Sequence, residues 1–155
     1  MIYLGKKSKS LDEGIEEAIR ILKSGKAFEK FAEIVKAQNG KTDFIFNPEK
    51  YPKSKFREVI KSNSAGYLSE VNTYQLGMAA IDLGAGRKTK EDKIDPKAGI
   101  IFNYKIGDTI NKGVVLAELF SDSKSRIDSA EKRIGNAIKI SKSKPQKPKL
   151  IKTII

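Results

Sequence analysis

The chain has 155 residues, and its 31 Lys and Arg outweigh 19 Asp and Glu to give a formal charge of +12. It contains no cysteine and no histidine, which excludes imidazole-based triads, thiolate nucleophiles, Cys/His zinc sites and disulfide frameworks. Apolar residues make up 39%, but runs such as 98–102 fall far short of the about 20 that cross a bilayer, so a soluble, cytoplasmic domain with at most a small appendage is expected.

Ser10-Leu11-Asp12-Glu13 has the form of a capping box, with the Ser10 hydroxyl accepting from a first-turn amide and Glu13 reaching back. Ile15, Ala18, Ile19 and Leu22 then recur at helical spacing until Ser24-Gly25 stops the helix. A second helix follows in which Phe28, Phe31, Ala32 and Val35 share one face, and Asn39-Gly40 closes it. Two such helices cannot bury both apolar faces alone and read as the edge of something larger. Residues 42–52 read as an irregular connection, with turns at Asn47-Pro48 and Tyr51-Pro52.

The pattern then shifts to strands, at 56–60 and 67–71, separated by a turn at Ser64-Ala65-Gly66. Asn72 caps a helix over 73–83 whose Leu76, Ala79, Ala80 and Leu83 lie together. Gly77 inside it costs about 1 kcal/mol relative to Ala, which predicts a close backbone approach there. A loop opening with Gly84-Ala85-Gly86-Arg87-Lys88-Thr89 comes next, followed by strands at 98–104 and 114–120 on either side of Gly107 to Gly113. A last helix is expected over 123–138 with Ile127, Ala130, Ile134, Ala137 and Ile138 inward. Residues 144–149 form an extended linker, and 150–155 return as an edge strand.

Three features suggest chemistry. The first is the loop at Gly84, where backbone amides and a nearby lysine favour an anion. It fits neither phosphate-binding fingerprint. A Walker motif needs four residues before its Gly-Lys, and the dinucleotide motif follows a strand where this loop follows a helix. What remains is a helix cap leading into a flexible cationic flap. The second is the carboxylate group Asp82, Glu91, Asp92 and Asp95, for which salt bridges with the interspersed lysines are the expected role. The third is the basic end of the chain: residues 121–155 hold ten Lys and Arg against three acids. Nucleic acid is the disfavoured partner there, because no aromatic residue interleaves the lysines to stack on bases.

Gly107-Asp108 followed by Lys112-Gly113 and an apolar strand resembles the hairpin of biotinyl/lipoyl-type barrel-sandwich domains. The modifiable lysine between methionines is missing, since Met1 and Met78 are the only methionines, so the likeness extends to the fold alone.

A wider resemblance covers nearly the whole chain. Its motifs are Ser24-Gly25-Lys26-Ala27, Ala37-Gln38-Asn39-Gly40, Ala65-Gly66-Tyr67, Leu76-Gly77-Met78-Ala79-Ala80 and Leu83-Gly84-Ala85-Gly86-Arg87. They continue through Lys90-Glu91-Asp92, Ile94-Asp95, Lys105-Ile106-Gly107-Asp108 and Lys112-Gly113 to Pro148-Lys149-Leu150-Ile151. In this order they resemble the C-terminal portion of the thymidine/pyrimidine-nucleoside phosphorylase family. Asn39 stands where the family usually has a second glycine, Asn103-Tyr104 replaces a His-Lys-like pair, and Pro96-Lys97 is unusual after Ile94-Asp95.

The resemblance implies phosphorolysis of thymidine or uridine to free base and sugar 1-phosphate, with inorganic phosphate as co-substrate and no cofactor in this chain. It implies an upstream helical domain that dimerises and an α/β domain that holds phosphate on a Lys-His-Ser-Thr-Gly-Gly loop. That motif is absent here, as the lack of histidine already requires. The expectation is therefore an α+β chain, truncated relative to the family and inactive alone. Residues 1–50 would be a helical hairpin ending the α/β domain, plus a linker. Residues 51–155 would be a small mixed, barrel-sandwich-like (hammerhead) C-terminal domain. No catalytic or metal residue is expected, and Gly84, Gly86, Arg87, Lys88 and Lys90 are the candidates for a loop that closes over substrate. The partners implied are the upstream polypeptide and, through it, a second subunit, with no membrane. The alternative is a stand-alone module that uses its basic tail to bind an anionic partner or nucleic acid.

Overall fold

A computed structural model describes residues 1–149 and 151, and they fall into two compact units, Met1–Tyr51 and Pro52–Ile155. The strand expected over 150–155 lies, apart from Ile151, outside the described residues.

The first unit is helical. Helix α1 (Leu11–Lys23) starts at Ser10, whose side chain accepts from the Glu13 amide at 3.2 Å. Glu13 reaches back one residue further than a strict capping box, to the Lys9 amide at 2.8 Å. Helix α2 (Lys26–Ala37) follows after the Ser24-Gly25 stop and ends where Asn39 takes φ +60°. Asn tolerates that left-handed geometry better than other side chains do.

The expected irregular connection is partly ordered, with a single-turn helix α3 (Asp43–Phe46) and a 3₁₀ turn at Pro48–Lys50. Asn47 donates to the Asp43 carboxylate at 2.8 Å, and Phe46 meets Phe28 edge to face at 5.5 Å. Pro48 fits the first position of a helical turn, where a missing amide costs nothing.

The second unit contains two three-stranded antiparallel sheets and no closed barrel among the described residues, so the α+β class stands. One sheet has the order β1 (Phe56–Lys61), β5 (Val115–Ser121), β3 (Gly99–Phe102). The other has β4 (Thr109–Ile110), β2 (Gly66–Val71), β6 (Ile138–Ser141). Helices α4 (Thr73–Leu83) and α5 (Lys124–Ala137) pack on each other and on the first sheet.

Strand β5 alternates burial and so serves two cores. Leu119 joins Ala79, Leu83, Ile127, Ala130 and Ile134, while Leu116 joins Leu68 and Ile110. Ser121, fully buried, donates at 2.7 Å to the carbonyl of Leu83 and satisfies the last turn of α4.

Two expectations need correction. The last helix stops at Ala137, and Ile138 opens β6. The alternation of Ile138 and Ile140 with Lys139 suits a strand, and β2 pairs with it at Val71↔Ile138 and Leu68↔Ile140. Gly77 makes no close approach, because a Cβ placed there meets no atom within 4 Å. Gly77 is exposed in α4, so Gly77→Ala should stabilise the protein by about 0.5–1 kcal/mol and raise the melting temperature by roughly 2–4 °C. By contrast, Leu119→Ala should cost about 2–5 kcal/mol in chemical denaturation, because it opens a cavity in the larger core.

Candidate functional site

Helix α4 ends on Gly84, which takes φ +108° and is buried. This geometry lets the Ala85 amide donate to the Ala80 carbonyl at 2.9 Å and leaves the Gly84 carbonyl free to accept from the Asp95 amide at 2.9 Å. The loop between those points therefore has two feet set side by side. A side chain at position 84 would be strained by that φ and would also push aside the Arg126 guanidinium, whose Nη1 lies 2.5 Å from a Cβ placed there. Gly86 is similarly tight, with Cγ1 of Ile81 at 2.7 Å from a Cβ placed there.

The loop is stapled from within. One Asp92 oxygen accepts from the amides of Lys88 at 2.8 Å and Thr89 at 3.0 Å, and its other oxygen from the Thr89 hydroxyl at 3.1 Å. Those bonds hold the Asp92 carboxyl below its usual range. A recess of about 340 Å³ lies beside the loop, bordered among others by Gly84, Gly86, Lys88, Asp92, Lys93 and Arg126.

Lys88 proves to be an anchor as well as a surface cation. Its Nζ lies 2.6 Å from Oδ1 of Asp82 on α4, and Nε of Arg133 on α5 lies 2.8 Å from Oδ2 of the same carboxylate. Arg133 also donates to Oε1 of Gln75 at 2.8 Å. Burial pushes the Asp82 carboxyl up, but the contacts with Lys88 and Arg133 outweigh it and leave the pKa below the ordinary 3.8.

Arg87 and Lys90 are exposed, with no side-chain bond or ion pair among the described residues. The structure thus brings Gly84, Gly86 and Lys88 to the recess and leaves Arg87 and Lys90 on the outer loop. Two residues not singled out in the sequence belong with them. Arg126 and Arg133, seven apart on α5, share a helix face, and that spacing was the available signal.

Of the carboxylates expected to pair with lysines, Asp82 does so, while Asp92 and Asp95 bond backbone amides. Asp82 takes the two cations, Asp92 staples the loop, and Asp95 accepts from the Lys97 amide at 3.0 Å. Among the described residues no group of three acids converges as metal ligands would, and no described helix is long and apolar enough to cross a membrane. Part of the basic end is also spoken for. Lys139 pairs with Glu70 at 2.7 Å, Lys147 with Asp108 at 3.0 Å, and Lys144 sits 6.0 Å above the Tyr67 ring.

Residues 67–141 match the family described as the pyrimidine nucleoside phosphorylase C-terminal domain. The chain is also similar over its whole length to curated relatives. It is 36% identical over 155 residues to a pyrimidine-nucleoside phosphorylase of Bacillus subtilis and 37% identical over 155 residues to one of Staphylococcus epidermidis. It is 34% identical over 151 residues, 97% of this chain, to one of Geobacillus stearothermophilus. In each case it spans 35% of the relative's length.

Because the folded Asp82 pKa is depressed, its stabilising contribution is present above 3.8 and is lost as pH falls through the folded pKa. Asp82→Asn should therefore lower the melting temperature at pH 7, and the gap to wild type should close in acid below pH 3.8.

Proposed function

We propose, on the premise that this chain matches the C-terminal portion of the pyrimidine-nucleoside phosphorylase family, that it forms that part of such an enzyme. The reaction would transfer the (deoxy)ribosyl group of a pyrimidine nucleoside to inorganic phosphate. The polypeptide corresponding to the rest of the relatives would supply the phosphate- and base-binding groups and the subunit pairing. This chain would contribute structure and the electrostatic closure of the loop at 84–95. The observation that carries the reading is end-to-end similarity to relatives of which it spans 35%.

Two physical features support it. The sequence has no histidine and no Lys-His-Ser-Thr-Gly-Gly loop with which to hold phosphate. The first unit also lacks an apolar core of its own, since every fully buried hydrophobic residue lies at Leu68 or beyond. Ile15, Ile19 and Leu22 on α1, and Phe28, Phe31 and Ile34 on α2, remain about half exposed or more. A stripe of that kind is the face with which a helix docks. The part of the relatives' length that this chain does not match would supply the covering surface.

The purified 155-residue chain should release no thymine or uracil from thymidine or uridine in the presence of phosphate. Activity should appear when it is co-expressed with the N-terminal two-thirds of the Bacillus subtilis relative. Turnover by the chain alone would overturn the reading. In the reconstituted enzyme, removing two exposed cations by Arg87→Ala with Lys90→Ala should raise the KM for phosphate roughly two- to fivefold with a smaller change in kcat.

A further inference from the structure

The loop at 85–94 is a small body with its own internal bonding, for Asp92 ties together the Lys88 and Thr89 backbone and the Thr89 hydroxyl. Its main-chain feet at Ala85 and Asp95 lie side by side. Between those feet, Lys88 makes the one side-chain hydrogen bond or ion pair to the helices among the described residues, and Asp92 adds a longer-range attraction to Arg126 on α5.

The two ends of that contact differ. Asp82 is 4% exposed and is held independently by Arg133, whereas Lys88 is 58% exposed on a flexible stem. Departure of Lys88 leaves a carboxylate that is still paired. Departure of Asp82 would leave two cations without an anion. The pair therefore opens from the lysine side.

We propose that the Lys88–Asp82 ion pair is a latch, with Asp82 as the positioning residue that seats the loop against α4 and α5, and that the loop swings on its two feet when Lys88 lets go. The latch deepens the closure role proposed above and rests on that reading for its purpose. While latched, Lys88 shares the Asp82 charge with Arg133 and is held away from Arg87 and Lys90. Once released, it adds its charge to those of Arg87 and Lys90, so an anionic ligand stabilises the released state by the extra attraction. The cations that the sequence presents as equivalent are thereby divided into a fixed pair, Arg87 and Lys90, and a switched one, Lys88.

Hydrogen exchange on the full 155-residue chain tests the latch without any nucleoside. Lys88→Gln keeps a polar end group on a side chain one bond shorter and removes its charge. It should speed exchange of the 86–94 amides roughly tenfold while leaving α4 and α5 protection unchanged. Lys88→Arg should restore slow exchange. The latch is refuted if Lys88→Gln changes loop exchange by less than about twofold, or if the increase extends equally through α4 and α5. Because phosphorolysis is not measured, the latch can fail with the phosphorylase reading intact, and the reverse also holds.

Discussion

The carboxylate of Asp82 is the constraint around which the second unit is arranged. It is nearly sealed from water, on the last turn of α4, where an ion without partners would cost several kcal/mol. Arg133 from α5 and Lys88 from the loop each take one of its oxygens, so its burial is tolerated while α4 and α5 keep their places and is compensated more fully while the loop is seated. The apolar contacts of Ala79, Leu83, Ala130 and Ile134 bring α4 and α5 together, but apolar packing is not directional. The Arg133–Asp82 ion pair and the Arg133–Gln75 contact supply the direction.

The two units use hydrophobic residues in opposite ways. In the second, Leu116 and Leu119 point to opposite sides of one strand, and each anchors a core, so six short strands and two helices close on themselves. In the first, α1 and α2 display their stripes outward, and the helices have a single buried residue, Gly14. The helices still form locally, because Ser10, Gly25 and Asn39 settle their ends and ion pairs such as Arg20–Glu17 line the polar sides. Local signals define helices; they do not provide a surface to bury them against.

The same division explains what could be read from the sequence. Ser10, Asn72 and Gly84 each announced a helix end through backbone chemistry confined to a few residues, and each stands where expected. Ile138 did not, since it satisfies a helical stripe and a strand equally, and only β2, about seventy residues away, decides between them. Gly77 misled for a related reason: a helical glycine signals either a close neighbour or nothing, and only tertiary coordinates distinguish these. At the candidate site the loop and its glycines were legible, while the division of labour among its lysines was not. Which of Arg87, Lys88 and Lys90 finds a carboxylate depends on how α4 crosses α5, and no short-range pattern encodes that crossing.

The titration behaviour follows from this use of charge. Asp82, Asp92, Asp108, Asp122, Glu17 and Glu58 are all shifted down, and Lys97, Lys124 and Arg20 are all shifted up. Every one of these shifts favours the charged form and moves the group further from neutrality. A general acid or base works best with a pKa near the operating pH, which needs the opposite displacement. The same contacts that lock the loop, the hairpin and the strand ends thus remove these groups from proton transfer. These side chains therefore stay charged in the folded chain, and two of them, Asp82 and Asp92, border the recess beside the loop.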